Sequence, residues 1–392
     1  MAITRRDFLN GVALTIAAGL TPLSAIRANP TQNYPPLKTG MRGNHPGSFE
    51  AAHKLARQGH RFPIGGLGVQ GQYDLVVVGG GISGLSAAWF YRQKNPNAKI
   101  LILDNHDDFG GHAKRNEFKV NGDTLLSYGG SESFQSPDML FSEQVNALMG
   151  DLGIETEKFK RYFDREFYFK QGLSRGTFFD KAHFGIDKVV GGSPEMGIAD
   201  ELRPDLLNSR PLEEYLNDFP LPESDRKALI TLHLNPPNYL ADMPYDEKID
   251  YLWGISYYTF LKDVVGLSDT ALLYFRSMSN EFYGYGIDSI AALDAQQVRY
   301  PGFDAMGLPE PSEEVKAELD DPYIYHFPDG NASVARLLVR GLIPGVAPGN
   351  TMEDVVMAKF DYDKLDVASN NVQLRLNSTV VRVDNPNGPV DV

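Results

Sequence analysis

Three glycines and one acidic residue have the types and the spacing to hold a phosphorylated nucleotide. Gly79, Gly81 and Gly84 follow a run of four apolar residues, and Asp104 lies 20 residues after Gly84. A glycine loop lets a pyrophosphate approach the backbone, and its third glycine, Gly84, lets the following helix pack close to the strand. The free N–H groups of that helix attract the charge of the pyrophosphate, and an acid at this spacing reaches ribose hydroxyls. The pattern therefore predicts a dinucleotide site. The alternative is a glycine-rich turn in an α/β domain that binds no nucleotide.

Two strands and a helix are needed to position these residues. The apolar run Leu75–Val78 predicts a buried parallel strand, and Ile100–Leu103 predicts a second one. Between them a helix is expected to begin near Ser83 and to end before Pro96, which cannot continue it. Ile82 and Ser83 would then stand at the helix N-terminus, where the phosphates are expected.

Two glycine pairs follow the second predicted strand, Gly110-Gly111 and Gly129-Gly130, and a polar strand with a turn at Asn121-Gly122 is expected between them. Paired glycines let the backbone pack against a flat ring or a phosphate, although ordinary turns are an alternative. Neither a catalytic residue nor a metal site is identified from the sequence. The candidate cofactor-binding residues are Gly79, Gly81, Ile82, Ser83, Gly84, Asp104, Asn105, Gly110, Gly111, His112, Tyr128, Gly129, Gly130 and Ser131.

The composition of the chain excludes several kinds of metal and disulfide site and disfavours one class of partner. The 392 residues carry a formal net charge of −14 and include no cysteine. Without cysteine, this chain has no disulfide, iron–sulfur cluster, thiolate-bound metal or C-x-x-C-H haem attachment. The acidic charge argues against a nucleic-acid partner, which usually meets a basic patch. It would suit a cationic substrate, although acidic globular proteins are common and the charge can have no such meaning.

Residues 1–28 have the pattern of an export signal. Thr4–Leu9 contains Arg5-Arg6 and resembles the twin-arginine consensus, and the apolar stretch after it is too short and too broken to span a bilayer. The twin-arginine export machinery is associated with proteins that fold and load their cofactor first, so a periplasmic location is expected. The alternative is a chance Arg-Arg pair before an apolar helix.

The arm at residues 29–72 contains two histidines in a stretch with little periodicity. We expect this arm to be extended. His45 and His53 could ligate a b-type haem, whereas lone histidines in such an arm are more often hydrogen-bonding surface groups.

The rest of the chain divides by pattern into three parts. Residues 73–135 are expected to form the first part of a nucleotide-binding domain, and residues 326–392 its second part. Residues 136–325 are expected to form a mainly helical substrate-binding insertion between them. Within the insertion, helical patterns run over 138–152 and 246–265.

Aromatic residues are dense in this insertion. Most are expected in its core, since aromatic stripes at helical spacing usually are. Some could wall a cavity that, with carboxylates, would suit an alkylammonium ligand through cation–π contact. The densest groups are Tyr162, Phe163, Phe167, Tyr168 and Phe169, then Tyr251, Trp253, Tyr257, Tyr258 and Phe260, and the string Glu281–Gly286.

Several strings of residues resemble the flavin amine oxidases. The glycine loop with Asp104 and the two glycine pairs resembles their FAD-binding module. The strings Met41–Glu50, Asp104–Phe118 and Tyr325–Arg336 are more specific and resemble the bacterial spermidine dehydrogenase branch, in which His112 replaces an arginine. The implied fold is α/β, an FAD-binding Rossmann-like domain of the flavin amine oxidase type with an inserted, mainly helical substrate domain.

The resemblance adds one cofactor-binding residue. Val380 matches the family position whose backbone contacts the adenine, and Val380–Val383 is expected as a strand that follows another over Val372–Leu376. The FAD-binding domain would therefore be discontinuous. Since the family is longer and has a further FAD contact near its C-terminus, the C-terminal part is expected to be missing.

The reaction that the resemblance implies is FAD-dependent oxidation of the C–N bond of a polyamine such as spermidine. Hydride would pass from the α-carbon to flavin N5, and the imine would hydrolyse to an aldehyde. The electron acceptor would be a quinone, a cytochrome or O2, and haem b could take part.

Three alternatives stay open at this point. One is an FAD oxidoreductase of the same fold that acts on an apolar substrate, and another is a non-catalytic truncated fragment. NAD is a weaker alternative to FAD, since Asp104 suits any adenosine ribose whereas Gly110-Gly111 favours FAD.

Overall fold

A computed structural model describes residues 34–38, 47–63, 66, 68–385, 390 and 392. The chain divides into two compact units. The α/β unit comprises the residues up to Glu132 and those from Phe327 onward, and the helical unit comprises Ser133–His326. The expected export signal at residues 1–28 and His45 lie outside the described residues.

The strands of the described residues are β1 (Leu75–Val78), β2 (Ile100–Leu103), β3 (Arg115–Val120), β4 (Asp123–Tyr128), β5 (Gly176–Phe179), β6 (Lys188–Gly191) and β7 (Val372–Arg375). The α-helices are α1 (Glu50–Ala56), α2 (Ile82–Lys94), α3 (Pro137–Leu140), α4 (Glu143–Asp151), α5 (Thr156–Tyr162), α6 (Phe167–Lys170), α7 (Lys181–Phe184), α8 (Leu212–Asn217), α9 (Glu223–Leu234), α10 (Tyr245–Gly254), α11 (Tyr257–Thr259), α12 (Asp269–Phe275), α13 (Asn280–Tyr283), α14 (Ala292–Gln297), α15 (Glu313–Asp320), α16 (Ala332–Leu342) and α17 (Asp354–Met357). A π-helical turn spans Phe260–Val264, and 3-10 turns span Pro35–Leu37, Pro204–Leu206, Asp304–Met306 and Tyr362–Lys364. None of these helices is long and apolar enough to cross a membrane.

A parallel sheet in the order β1-β2-β7 forms the centre of the α/β unit. Leu75 pairs with Ile100, and Ile100 pairs with Val372 on its other side. Ile100 and Ile102 are fully buried, as expected for a central parallel strand that is covered on both faces. Both strands predicted around the glycine loop are confirmed, and so is the helix between them.

The neighbouring helix α16 is buried along almost its whole length, although it carries two arginines. Arg340 donates to the carbonyl oxygens of Pro348 and Thr351, at 3.2 and 2.7 Å, and pairs with Asp354. Arg336 donates to the carbonyl oxygens of Val355, at 3.3 Å, and Ala358. The two guanidinium groups thus satisfy backbone acceptors of the segment 348–358, which is how their burial is tolerated.

The antiparallel pair β3–β4 is a hairpin whose turn is Asn121-Gly122. Both turn residues have positive φ, 51° and 95°, as a two-residue turn with the twist of the strands requires. The turn expected at Asn121-Gly122 is therefore confirmed.

The second strand expected near the C-terminus does not form. β7 ends at Arg375, and Asn377 takes a left-handed conformation with φ 52°. The chain then crosses the end of β2, where the N–H groups of Asn377 and Ser378 donate to His106 O and Asp104 O, both at 2.8 Å. These bonds fix the chain up to Ser378, and residues 380–383 are irregular.

Two long helices expected in the helical unit are each interrupted at a serine. Over 138–152 the structure has α3 and α4, and Ser142 caps α4 by accepting from Val145 N–H. Over 246–265, α10 ends at Gly254 and Ser256 caps α11 by accepting from Thr259 N–H at 3.1 Å. A serine hydroxyl that accepts from the N3 amide starts a new helix, and the periodic pattern does not show this.

The core of the helical unit confirms only part of the expectation for its aromatic residues. Tyr257 and Phe260 are fully buried, together with Tyr215, Phe179 and Phe275. The earlier group is largely exposed instead: Tyr162 58%, Phe167 53%, Tyr168 55% and Phe169 40%. These residues fall on the short helices α5 and α6, and one or two turns cannot turn every ring inward.

Candidate dinucleotide-binding site

The predicted glycine loop joins β1 to the N-terminus of α2. Gly79 has φ 106°, and Gly81 is the N-cap residue with an extended backbone. Leu85 N–H donates the first bond of the helix, to Gly81 O at 2.9 Å. The N–H groups of Ile82, Ser83 and Gly84 precede that bond, so they project from the positive end of α2 toward the space in front of the loop.

Gly84 sets the distance between α2 and the loop. A Cβ at this position would lie 2.0 Å from Gly79 O and 3.1 Å from Val77 Cγ1. No side chain fits there without moving the backbone. The third glycine therefore has the close-packing role that the sequence predicts for it.

Asp104 holds the glycine loop against the end of β2. It is buried, its Oδ2 accepts from Gly80 N–H at 2.6 Å, and its Oδ1 accepts from His106 N–H at 2.8 Å. Sequence reasoning did not anticipate the bond to Gly80. A carboxylate has about four acceptor positions, so these two bonds leave capacity for a ribose hydroxyl, and that contact stays a prediction.

The first glycine pair lies directly beside the glycine loop. Gly110 N–H donates to Gly80 O at 2.8 Å, and Gly81 and Gly110 form a parallel bridge. A Cβ on Gly110, where φ is 99°, would lie 2.4 Å from Ala113 O, and one on Gly111 would lie 3.2 Å from Gly81 Cα. Two stretches of backbone without side chains thus meet in front of α2.

The second glycine pair packs on protein backbone. Gly129 N–H donates to Lys114 O at 2.9 Å, and Gly130 N–H donates to His112 O at 3.0 Å. A Cβ on Gly129 would lie 2.9 Å from that of Lys114. Close approach of two chain segments accounts for Gly129. The predicted contact of this pair with a ring or phosphate stays a prediction, and His112 is exposed at its edge.

Tyr128 and Ser131 flank this pair and bond to nearby groups. The Tyr128 hydroxyl donates to Glu132 Oε1 at 2.5 Å, and the ring is partly exposed. Ser131 Oγ accepts from Asn331 Nδ2 at 2.9 Å. Ser131 thereby joins the end of the hairpin to the residue that precedes α16.

Asn105 and the residue before Val380 meet at the carboxyl end of β2. Asn105 donates to Ser48 O and accepts from the Thr379 hydroxyl. Val380 follows Thr379 directly and is half-buried. The predicted residue therefore comes close to Asp104 and Asn105, but on irregular chain and not on a strand.

A buried ion pair supports this arrangement, and sequence reasoning missed it. Arg115 Nη1 lies 2.6 Å from Asp329 Oδ2, and both side chains are buried. Ser333 Oγ donates to Asp329 Oδ1 at 2.6 Å, and Arg115 Nε donates to Glu117 Oε1 at 2.8 Å. Burial alone would lower the pKa of Arg115, but Asp329 and Glu117 raise it. Both residues lie in strings that resemble the spermidine dehydrogenase branch, Arg115 in Asp104–Phe118 and Asp329 in Tyr325–Arg336, but nothing in the sequence pairs them.

The geometry fits the pyrophosphate of a dinucleotide. The helix N-terminus offers three N–H groups, and the backbone in front of it carries no Cβ at Gly81, Gly110 and Gly111. Among the described residues no group of three or more His, Cys, Asp or Glu is placed to hold a metal ion. His53 packs its ring against Phe49 at 5.0 Å, and nothing in the described part of the chain supports a haem site.

Comparisons with known proteins agree with this fold. Residues 77–152 match the family model of an NAD(P)-binding Rossmann-like domain, a range that contains every candidate residue except Val380. The uncharacterized protein R188 of Acanthamoeba polyphaga mimivirus is 31% identical over 77 residues, which are 20% of this chain and 15% of that protein. The α/β unit thus has a Rossmann-like fold.

Two solved structures show a lower similarity over more of the chain. A putative protoporphyrinogen oxidase from Exiguobacterium sp. 255-15 has a TM-score of 0.39 at 16% identity, over 81% of this chain and 55% of that one. Wild-type putrescine oxidase bound to putrescine has a TM-score of 0.32 at 16% identity, over 77% of this chain and 51% of that one. The chain therefore spans about half the length of these structures.

Proposed function

We propose that this chain binds FAD in its α/β unit and belongs to an oxidoreductase that oxidises the C–N bond of a polyamine. The observation that carries the proposal is the junction of two glycine segments in front of α2. Gly80 O accepts from Gly110 N–H, and Asp104 holds the same loop through Gly80 N–H. The sequence resemblance to the flavin amine oxidases supports FAD over NAD(P) as the dinucleotide.

Each part of the site would have a separate task. The N–H groups of Ile82, Ser83 and Gly84 would bind the pyrophosphate, and Asp104 would accept from the ribose of the adenosine half. The hydroxyl of Thr379, the residue before Val380, donates to Asn105, which supports a place for the adenine near this backbone. When bound, FAD would supply the two-electron acceptor for hydride from the α-carbon of the amine, and the oxidised amine would hydrolyse to an aldehyde.

A polyamine substrate is supported by charge and by aromatic content. The chain carries a formal net charge of −14, which attracts polycations at low ionic strength. The helical unit provides many tyrosine and phenylalanine rings, whose faces attract ammonium groups. We further propose a quinone, a cytochrome or O2 as electron acceptor, and export to the periplasm by the twin-arginine machinery.

The colour of the purified protein tests this proposal directly. We expect the full chain to retain a yellow flavin, and anaerobic addition of spermidine to bleach its visible absorption. Mass spectrometry of the released nucleotide distinguishes FAD from NAD(P). Recovery of NAD(P), or of no nucleotide from folded protein, would contradict the cofactor, and a retained flavin that spermidine does not bleach would contradict the substrate.

Gly84→Ala tests whether the loop holds the nucleotide. Because a Cβ there would lie 2.0 Å from Gly79 O, we expect flavin content to fall at least tenfold, a loss of about 1.4 kcal/mol or more in binding. Gly150→Ala is the control, since a Cβ at Gly150 meets nothing within 4 Å. Equal flavin content in both variants would rule out the assigned role of Gly84.

A further inference from the structure

Helix α10 has one face in the core of the helical unit and the other in solvent. Leu252 is fully buried and Lys248 is 7% exposed, so these two residues mark the inner face. At about 100° of turn per residue, Asp246, Asp250 and Trp253 lie within an arc of about 60° on the opposite side of the helix. These three residues define the outer face of α10, which the proposed flavin site does not use.

Trp253 is unusually exposed for a tryptophan. Its exposed fraction is 63%, whereas this large ring is highly buried on average in folded proteins. Among the described residues it forms no hydrogen bond, ring stacking or cation–π contact. Tyr245 and Tyr251 of the same helix are also exposed, 51% and 36%. Tryptophan and tyrosine supply much of the binding energy in protein interfaces, so this exposure points to a partner.

The carboxylates of α10 have no cation of this protein to neutralise them. Asp246, Glu247 and Asp250 are exposed, and within the described part of the chain none of their side chains forms an ion pair or a hydrogen bond. Acids on other exposed helices differ, as Glu223 of α9 shows by pairing with Lys227 at 2.6 Å. The outer face of α10 therefore keeps its negative charge available to a partner.

We propose that the outer face of α10 docks a segment of another protein that presents arginine side chains. Asp250 and Trp253 are three positions apart, so their side chains are neighbours on the helix. A guanidinium can stack on the indole of Trp253 and donate two parallel bonds to the carboxylate beside it. A second arginine can pair with Asp246, one turn earlier.

The charge of this face disfavours the other large partners. Nucleic acids and anionic lipid surfaces carry negative charge and would be repelled. A second copy of this chain would bring the same acidic face and a formal net charge of −14. A basic protein would instead be attracted at long range, and the exposed rings would supply the apolar contact at the centre of its interface.

Fluorescence anisotropy of a dye-labelled hexa-arginine peptide, titrated with the full chain, tests this docking face. At about 0.15 M salt, charges more than about 8 Å apart are largely screened, so local contacts decide the affinity. We expect the dissociation constant to rise at least tenfold in Trp253→Ala and in the double variant Asp246→Asn/Asp250→Asn. Absence of binding to the wild-type protein, or equal binding by these variants, would overturn the proposal.

The double variant Glu213→Gln/Glu214→Gln is the matched control. Both acids are exposed on α8 and, like those of α10, have no ion-pair partner among the described residues. Their loss removes the same two charges without touching Trp253, so the dissociation constant should change by about twofold or less. An equal loss of affinity in this control would show that net charge alone attracts the peptide.

A hexalysine peptide and spermidine distinguish arginine recognition from binding of any polycation. Hexalysine carries the same charge, but an ammonium group has no planar fork of donors, so we expect it to bind about fivefold more weakly. Spermidine should displace the hexa-arginine peptide only when present in large excess. Equal binding of hexalysine, or displacement by spermidine at the concentration of the peptide, would contradict a face built for an arginine-bearing protein.

Discussion

Gly341 shows how a single missing Cβ can decide the packing of two helices. Glycine in a helix costs about 1 kcal/mol relative to alanine, yet Gly341 lies in the last turn of α16. A Cβ there would lie 2.4 Å from Cζ3 of Trp89, a residue of α2. Arg92, also on α2, donates to the carbonyl oxygens of Gly341 and Leu342, each at 2.9 Å. The glycine therefore permits both the ring contact and the bonds that end α16.

Gly341→Ala should destabilise the α/β unit despite its better helix propensity. Overpacking against the half-buried Trp89 ring costs about 1–3 kcal/mol, more than the propensity gain. Gly150→Ala in α4 provides the matched control, because it should stabilise by up to about 1 kcal/mol. Chemical unfolding of both variants measures the difference, and a Gly341→Ala protein as stable as the wild type would show that the Trp89 ring can move aside.

The ion pair between Arg115 and Asp329 connects two elements, β3 and the loop before α16. Asp329→Asn keeps the shape but leaves the buried Arg115 with Glu117 as its remaining acid. We expect a loss of about 3 kcal/mol, the low end for breaking a buried pair, measured by chemical unfolding.

Asp384→Asn is the matched control for this prediction. Asp384 pairs with Arg382 at 2.5 Å in the same unit, but both side chains are well exposed, 37% and 57%. Such pairs contribute about 0–1 kcal/mol. If the two substitutions cost the same, the Arg115–Asp329 pair has no special structural role.

The elements that the sequence predicts well are those whose signals are local. The strand Leu75–Val78, the glycine loop and the helix ending before Pro96 each follow from neighbouring residues, as does the Asn121-Gly122 turn. The same holds for the role of Gly84, since the close approach of a helix to its preceding strand is a local matter.

The missed features depend on partners distant in the sequence. Val380 was expected on a strand, but the bonds from Asn377 and Ser378 to the end of β2 decide its path. Asp329 pairs with Arg115, which lies more than 200 positions earlier. Position 129 has no room for a side chain because Lys114 packs against it across the hairpin. No residue pattern within a short window records these contacts.

We expect acid to unfold the protein, because low pH protonates carboxylates that stabilise the fold in their charged form. Several of them have a lowered pKa in the folded protein. For Asp354, burial raises the pKa, but hydrogen bonds from Arg340 and from the N–H groups of residues 350 and 351 lower it more, to about 2. A carboxylate whose pKa is lowered by folding stabilises the folded state at pH values above its ordinary pKa. This contribution is lost as the pH falls through the lowered pKa of the folded state. The carboxylates are Glu166, Asp180, Glu195, Asp200, Asp218, Glu223 and Asp354.

We therefore expect the melting temperature to be nearly constant from about pH 5 to 7 and to fall steeply below about pH 4. Melts of the full chain across this range measure it. Asp354→Asn should lower the melting temperature at neutral pH and approach the wild type near pH 2, since protonated Asp354 resembles the amide. A difference that stays the same at every pH would show that the charge of Asp354 contributes nothing.

The buried arginines of α16 decide which positions of this part of the chain can accept substitutions. Arg336 and Arg340 bind the segment 348–358 mainly through its backbone carbonyls, which every amino acid carries. The exposed side chains of that segment are therefore free to vary in identity. The exceptions are Asp354, the buried Met352, Val355 and Ala358, and Gly349, whose φ is 85°. The two arginines have no such freedom, because lysine offers no planar fork of donors. A library of substitutions should tolerate many sequences in the loop and very few at the helix positions that hold it.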